Sequence, residues 1–493
     1  MLPLSKLKPL SAKYQSKTAL ITDDKTISWN GYKFLVQSNL SRLLQNEIIN
    51  QDTKRAIIIA ENSWKLFILF SCLGSCKIAY SGIDYSMDDE KKIAAIQRSN
   101  SNLVFYSEQN EPSAIMREQL PDVSFVPIDI ISDDKFPIQT NLQDSIDNLN
   151  HKDSITSFAF SSGTTGLPKC IYRTSSFDKR RLAKLTQLYN FNCKDNFLVT
   201  LPFYHVSVTG WARLTLVNGG TVVFGDFNNV DDLRYKISNY NISTMLITPP
   251  VLKKLNERLE ETKFENSSVR FIMVGGKNFP ATLKEQTIHI FGKVVNEYYG
   301  SSETGINTLA NSSDMLLHPF SSGRCMEGSK VVILDNNNIP VKNGNVGRIA
   351  VASYQNAAGY FNKKMTKVVI DNDEYILTSD YGYMDNSGYL FVVQRVVFDD
   401  NKYTANVFQL ENNLRLVKGI NDAVVFQQED NTFLIQIALE PDTTNLKQSL
   451  INDLVTKIIE ETGIKYSIEY TKEINYSMSG KVKYAELIKE AGA

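Results

Sequence analysis

Four short segments carry residue types and spacings that could do chemistry. The sharpest is FAFSSGTTGLPKC (158–170), where an apolar run enters a loop of glycines and small hydroxyl residues closed by Lys169. Gly163 and Gly166 let backbone N–H groups approach an anion. Ser161, Ser162, Thr164 and Thr165 add hydroxyl donors and Lys169 a point charge, a set suited to polyphosphate. It is not the GxxxxGK[ST] loop, because Gly163-x-x-Gly166 is shorter and no Ser or Thr follows Lys169. The same composition also serves an ordinary surface turn.

The second segment, NEYYGSSETG (296–305), offers Glu303 in a small-residue turn as a hard oxygen ligand for Mg²⁺, and Tyr299 as an aromatic face for a base. A capping turn with a solvated Glu303 is the plain alternative. The third, EYILTSDYGYMDNSGYLFVVQR (374–395), places Asp380 after a strand end, where a carboxylate can accept both hydroxyls of a ribose, and Arg395 at the end of the next strand. Its DNSG (385–388) also reads as a hairpin turn. The fourth, YSMSGKVKYAEL (476–487), sets Lys481 after a Ser-Gly turn, a place where a lysine is by default solvated.

These segments need positioning elements, and the hydrophobic pattern supplies them. Strand-like runs at 56–60, 102–107, 123–129, 195–203, 220–226, 244–250, 269–276 and 293–300 alternate with helical patterns at 64–80, 230–241 and 249–261. That alternation predicts βαβ units and parallel sheets. From about 320 the texture changes. Residues 329–353 read as antiparallel strands with tight turns, 423–440 as a hairpin, and 446–462 as an amphipathic helix. The fold class is therefore α/β: a large N-terminal part of parallel-rich sheets with helices and a small β-barrel-like portion, then a small α+β unit.

Composition sets the outer bounds. The chain has 493 residues, 53 Lys+Arg against 54 Asp+Glu and a net charge of −1, which argues against a nucleic-acid coat or an acidic disordered chain. Its five cysteines are scattered, with no CxxC pair, so neither a disulfide framework nor a zinc site is expected and a cytoplasmic location is. The most apolar segment, KLFILFSCLGSCKIAY (65–80), is too short and interrupted to span a bilayer and reads as a buried helix.

Taken together and in order, these motifs resemble the adenylate-forming superfamily of acyl- and aryl-CoA synthetases, peptide-synthetase adenylation domains and beetle luciferases. SSGTTGLPK is similar to its phosphate loop, and YGSSE (299–303) to its Tyr-Gly-x-Thr-Glu element with Ser302 for Thr. VGGKNFP (274–280) resembles its Gly-Gly-Glu-x-x-Pro segment with Lys277 for the acid. SSGRCMEG (321–328), TSDYGYMDNSGYLFVVQR (378–395) and SGKVKY (479–484) resemble its remaining elements, so the likeness runs along essentially the whole chain.

The resemblance implies a nucleotide-binding domain at 1–395 and a mobile lid at 396–493. It implies ATP and Mg²⁺ as cofactors, a small-molecule carboxylic acid as substrate, and acyl-AMP with pyrophosphate as first products. An acyl transfer to a thiol follows, either CoA or the phosphopantetheine of an acyl or peptidyl carrier protein. Ser162, Thr164, Thr165 and Lys169 would hold phosphates, Glu303 the Mg²⁺, and Ser302, with Gly300 and Ser301 beside it, the α-phosphate. Tyr299 would stack on adenine with Gly275 and Gly276 as the other wall, and Asp380 would bind ribose with Arg395 nearby. Lys481 would bridge carboxylate and α-phosphate on domain closure. His205, with Gly275 and Gly300, would border the acyl pocket; a packed His capping a strand end is the structural alternative.

Departures bear on the transfer step. In VVFDDNKYTANVFQLEN (396–412) the hinge falls on Val397 or, with an insertion, on Asp399, and Thr404 stands where a glycine is usual. Cys170 replaces the glycine after the loop lysine. The altered loop favours a stand-alone enzyme that loads a carrier protein as the alternative to a CoA ligase. A catalytically silent nucleotide-binding homologue is the remote one, set against by the retained Lys169, Glu303, Asp380 and Lys481. No Asp occurs at 201–211 to meet an amino acid's ammonium, which shifts weight to simple acids.

Overall fold

A computed structural model describes residues 1–149, 155–161, 168–262, 264–265, 268–276, 279–362 and 364–395. Towards the C-terminus it describes 410–411, 413–415, 417, 419–427, 432–439, 445–460, 465–472 and 474. The chain divides into two compact units. The first comprises Met1–Met273, Ser301–Gly305 and Tyr354–Thr366, and the second Val274–Gly300, Ile306–Ser353 and Lys367–Ala493.

In the first unit the RAIII run forms the strand Arg55–Ile59, buried along nearly its whole length, as a central parallel strand must be. Ala79–Gly82 and Leu103–Tyr106 pair with it in parallel, and Ser124–Pro127 adds to Leu103–Tyr106. The helix Trp64–Ser75 makes one crossover; Ser63 caps its start by accepting from the Leu66 N–H at 3.2 Å. Its apolar residues are buried all round, but the helix is shorter than the 64–80 pattern predicts. Lys77 adopts φ 56°, which breaks the helix and releases the chain into the next strand.

A second sheet in this unit runs in the order Phe271–Val274, Thr244–Ile247, Asn196–Val199, Thr221–Phe224, Thr18–Ile21 and Thr26–Ser28. The pairs made by Asn196–Val199 with both neighbours are parallel. Its helices follow their sequence signals. Asn229 caps Val230–Asn239 by accepting from the Asp231 and Asp232 N–H groups, and Pro249 opens Pro249–Glu261, which buries Leu252, Leu255 and Leu259 along one face. A third sheet joins Ile155–Ser161 to Lys169–Thr174, with Gly359–Tyr360 on its far side.

The second unit holds the antiparallel portion. Ser329–Leu334 pairs with Gly347–Ser353 in a register running from Ser329 opposite Ser353 to Leu334 opposite Arg348. Asp373–Met384 continues this half-barrel, flanked by Lys367–Ile370 and Leu390–Arg395. The DNSG turn forms as predicted, with Gly388 at φ 80° and its N–H bonded to the Asp385 carbonyl at 3.1 Å. Towards the C-terminus, Ile420–Gln427 and Phe433–Leu439 form the expected hairpin, and Tyr466–Thr471 adds in parallel. Helix Asn445–Glu460 contributes Ile451 and Val455 to a core shared with Leu410, Leu414 and Ile435. The α/β class, the barrel-like portion and the small α+β group thus match the sequence expectation. Among the described residues no helix is long and apolar enough to cross a membrane.

One buried ion pair anchors the strand that leads to Glu303. Lys284, on helix Ala281–Phe291, meets Glu297 on Val295–Ser301 at 2.6 Å and donates to the Pro319 carbonyl at 2.6 Å. Burial pushes the Glu297 carboxyl above its ordinary 4.5, while the Lys284 charge pulls it back. Removing Lys284 leaves that carboxylate buried without its counter-charge. Lys284→Met is expected to cost about 3–5 kcal/mol at neutral pH. A carboxyl raised in the folded state favours folding while protonated and loses that contribution as pH rises from 4.5 through its folded value. The deficit of the variant in urea unfolding should therefore be larger at pH 8 than at pH 5; equal deficits would show that the pair carries no such coupling.

Candidate active site

The phosphate-loop motif lies on a hairpin. Strand Ile155–Ser161 carries the chain in and Lys169–Thr174 brings it back, with Ser161 and Lys169 directly opposite in the register. Phe158 anchors the incoming strand, edge-on to Phe160 and Phe361 at 5.8 and 5.9 Å. Lys169 is half-buried at the base of the loop. Ser162, Gly163, Thr164, Thr165 and Gly166 lie outside the described residues, as does the side chain of Ser161.

The segment 301–305, in the same unit, is held from several sides. The buried Arg173 donates through Nη2 to the Ser302 carbonyl. The Ala357 N–H donates to the Glu303 carbonyl at 2.7 Å, and the Tyr360 hydroxyl to Glu303 Oε1 at 2.9 Å. Within the turn, Ser301 Oγ accepts from the Thr304 N–H at 3.2 Å and pairs with the Thr304 hydroxyl at 3.0 Å. Gly305 has φ 73°, and a Cβ there would stand 2.6 Å from the Gln355 side chain. Glu303 is only 9% exposed, so it is not a solvated turn residue. Mg²⁺ on a nucleotide needs one or two protein carboxylates besides the phosphates. A single preorganised carboxylate, steadied by a hydroxyl on one oxygen, fits that demand.

His205 precedes helix Val206–Val217, is exposed, and lies with its ring 4.5 Å from that of Tyr204. It is therefore not packed under a strand end. Its segment is placed by Asn62, whose amide donates to the Leu201 carbonyl at 2.9 Å and accepts from the Phe203 N–H at 2.8 Å. Gly82 backs Tyr204 so closely that a Cβ would lie 2.9 Å from the Tyr204 Cα.

In the second unit Tyr299 donates to Asp380 Oδ2 at 2.8 Å, and its ring packs on the core of Ile333, Ile349, Val351 and Leu390. Asp380 lies inside the long strand Asp373–Met384 rather than past a strand end, because a register shift between Tyr381 and Gly382 lets the strand bend and continue. Its N–H donates to Thr378 Oγ1 at 3.1 Å, and that hydroxyl donates to the Ile349 carbonyl at 2.8 Å. Arg395 stands opposite Asp380 in the backbone register; its side chain lies outside the described part, and so does Lys481. Gly300 sits within strand Val295–Ser301. Gly275 and Gly276 differ in kind. A Cβ on Gly275 would stand 2.3 Å from the Tyr298 ring, whereas Gly276, at φ 83°, faces open space.

Arg173, Tyr360 and Asn62 belong to these arrangements without any motif announcing them, and Tyr298 lies inside the 296–305 segment with no role signalled by it. Each acts on a partner distant in the chain or through its ring surface, and neither leaves a local signal.

Comparison with known proteins gives the frame for these contacts. The family described as "AMP-binding enzyme" matches residues 9–361. The chain is 26% identical over 355 residues to a 4-coumarate–CoA ligase from Pinus taeda, covering 68% of this chain and 66% of that protein. It is 26% identical over 281 residues to a 2-succinylbenzoate–CoA ligase from Oceanobacillus iheyensis, covering 55% and 56%. The matched parts thus span less than two thirds of those relatives' own lengths. Among solved structures it shares its fold with the amide bond synthetase McbA from Marinactinospora thermotolerans, at a TM-score of 0.83 and 16% identity over 99% of both chains. The o-succinylbenzoate coenzyme A synthetase MenE from Bacillus subtilis, in complex with ATP and magnesium, gives 0.80 and 17% over 98% of both.

Gly275 and Tyr298 make a paired test of the packing. Gly275→Ala must displace the Tyr298 ring and is expected to destabilise by about 1–3 kcal/mol in chemical denaturation. Adding Tyr298→Ala should make the change at 275 cost far less, through the coupling expected of touching residues. Additive losses in the double variant would show that the ring is not what excludes a side chain at 275.

Proposed function

This chain belongs to the AMP-binding enzyme family, and we propose that it activates a small carboxylic acid with ATP, releasing pyrophosphate, and passes the acyl group to the thiol of CoA. The observation that carries this reading is the clamped, buried carboxylate of Glu303, set directly after Ser302 in a loop whose carbonyls are tied down by Arg173 and Ala357. Such a loop offers fixed dipoles and one hard ligand at little reorganisation cost, which is what adenylyl transfer asks of its site.

In the first step a carboxylate oxygen of the acid bonds to the α-phosphorus and the bond to the β-phosphate oxygen breaks, so that pyrophosphate leaves. Ser162, Thr164, Thr165 and Lys169 hold the β- and γ-phosphates, and Ser302, with Gly300 and Ser301, lies along the α-phosphate. Magnesium, when bound, neutralises phosphate charge, and Glu303 is the residue that would hold it. Tyr299 serves adenine, with Gly275 and Gly276 as the other wall. Asp380, fixed by the Tyr299 hydroxyl, accepts from the ribose. Arg395 stands nearby, and Lys481, on a lid formed by 396–493, steadies the pentacoordinate charge beside the body 1–395. In the second step the thiol attacks the acyl carbon and AMP leaves. His205, Gly275 and Gly300 border the acyl group.

The second reading, transfer to a carrier protein's phosphopantetheine, rests on the departure of the 396–412 sequence from the family pattern, with Thr404 where a glycine is usual. Acylation of CoA against acylation of co-encoded carriers separates the two.

The decisive measurement is ATP–pyrophosphate exchange across a panel of carboxylic acids, which needs no acceptor. At least one acid should support exchange, and Glu303→Gln should lower its rate about 100- to 1,000-fold. Absence of exchange with every acid would sink the proposal. Tyr299→Phe frees one Asp380 oxygen from its partner and should raise KM for ATP about 3- to 10-fold with little change in kcat. A fall in kcat at constant KM would place Tyr299 in the chemistry instead.

A further inference from the structure

Within the first unit, the lysine of the phosphate loop and the carboxylate of Glu303 are tied together from behind, through a residue that no motif contains. Arg98 sits in the last turn of helix Asp89–Ser99, which ends at Asn100 with φ 50°. Its Nη1 donates at 2.6 Å to the carbonyl of the buried Pro168, immediately before Lys169. Its own carbonyl, one of those a helix end leaves without an internal partner, accepts from Asn362 Nδ2 at 3.3 Å. Arg55 donates to the next carbonyl, that of Ser99, at 3.1 Å and lies 4.6 Å from the centre of the Phe361 ring. The Phe361 N–H donates to the Cys170 carbonyl at 3.1 Å, and one residue earlier the Tyr360 hydroxyl holds Glu303 Oε1. The segment 360–362 is thus bonded to Glu303 at one end and to Arg98 at the other, and Arg98 closes the path onto the backbone of Lys169.

A lysine aims its ammonium only as well as its Cα is held, because a flexible stem separates the two. A guanidinium bonded to a carbonyl is a charge-assisted contact, stronger than a neutral one, and its planar head leaves little play. ATP presents its phosphates and their metal as one ligand, so the lysine and the carboxylate that receive them must keep a fixed separation. A displacement of about 1 Å can cost about 100-fold in rate. We propose that Arg98 is a positioning residue for adenylyl transfer: it fixes the backbone from which Lys169 reaches the β- and γ-phosphates, and through Asn362 and Tyr360 it keeps that lysine in register with Glu303. In this role its side chain acts on main chain alone. The inference rests on the acid-activation reading above and adds to it a residue that works through Lys169.

The test uses the full-length protein and an acid that supports ATP–pyrophosphate exchange. Arg98→Met should raise KM for pyrophosphate about 10-fold while KM for the acid stays within about 2-fold, and Arg98→Lys should recover part of the loss. In a Lys169→Met background, adding Arg98→Met should change KM for pyrophosphate by less than about 2-fold, because the residue it positions is already gone. A full additional loss there overturns the proposal. So does a lowered Tm in Arg98→Met with KM for pyrophosphate unchanged, which would make Arg98 a tie between helix and hairpin only. Should Arg98→Met not fold, Arg98→Lys decides: a rise of about 3-fold in KM for pyrophosphate is expected, and no rise overturns the proposal. Equilibrium dialysis with labelled ATP and magnesium, without acid, gives a readout independent of turnover. Affinity should fall about 10-fold in Arg98→Met, and no further in the double variant than in Lys169→Met. If no acid supports exchange, the acid-activation reading falls, and the dialysis series alone decides the role of Arg98.

Discussion

The turn at 301–305 depends on two of its backbone carbonyls, those of Ser302 and Glu303, being claimed by donors from elsewhere in the chain. A tight turn of Ser, Glu, Thr and Gly has no intrinsic rigidity, and a carboxylate in it would by default face water. Here Arg173 takes the Ser302 carbonyl and Ala357 the Glu303 carbonyl, which turns the Glu303 side chain inwards to meet Tyr360. With both carbonyls bonded, the burial of Glu303 leaves few polar groups unmet. The rest of the first unit can be seen as scaffolding for those donors. The hairpin of Ile155–Ser161 and Lys169–Thr174 carries Arg173, and Gly359–Tyr360 pairs with that hairpin and so brings Tyr360 within reach.

Most of this fold is legible in the sequence because hydrophobic period and turn residues are local signals. The RAIII, TVVF and TMLI runs sit where buried parallel strands require continuous apolar residues, and DNSG announces its hairpin. Legibility fails where one residue overrides a longer pattern. Lys77 in a left-handed conformation ends the apolar helix early, and the shift at Tyr381 and Gly382 carries a strand through Asp380. The site divides in the same way. Glu303, Tyr299 and Asp380 are visible because their neighbours form motifs. Arg173, Tyr360 and Asn62 act across separations of 129, 57 and 139 residues, and only the folded chain brings each to its partner.

A net charge of −1 conceals how unevenly charge is used. Lys284 and Glu297 neutralise one another in the interior, and Arg270 forks onto the buried Asp195 at 2.8 and 2.7 Å while Ser243 donates to the same carboxylate. Those groups hold strands in place and are locally balanced.

The grip of Arg173 has one more consequence. It holds residue 302 by the main-chain carbonyl, which every amino acid possesses, so the hold is blind to the side chain there. The resemblance noted at this motif has Thr where this chain has Ser, and the exchange leaves the clamp as it was. Anchoring and chemistry are thus assigned to different atoms of the same residue. Selection can try new hydroxyls, or none, at position 302 without loosening the loop that presents it, and the position is free to vary for chemistry alone.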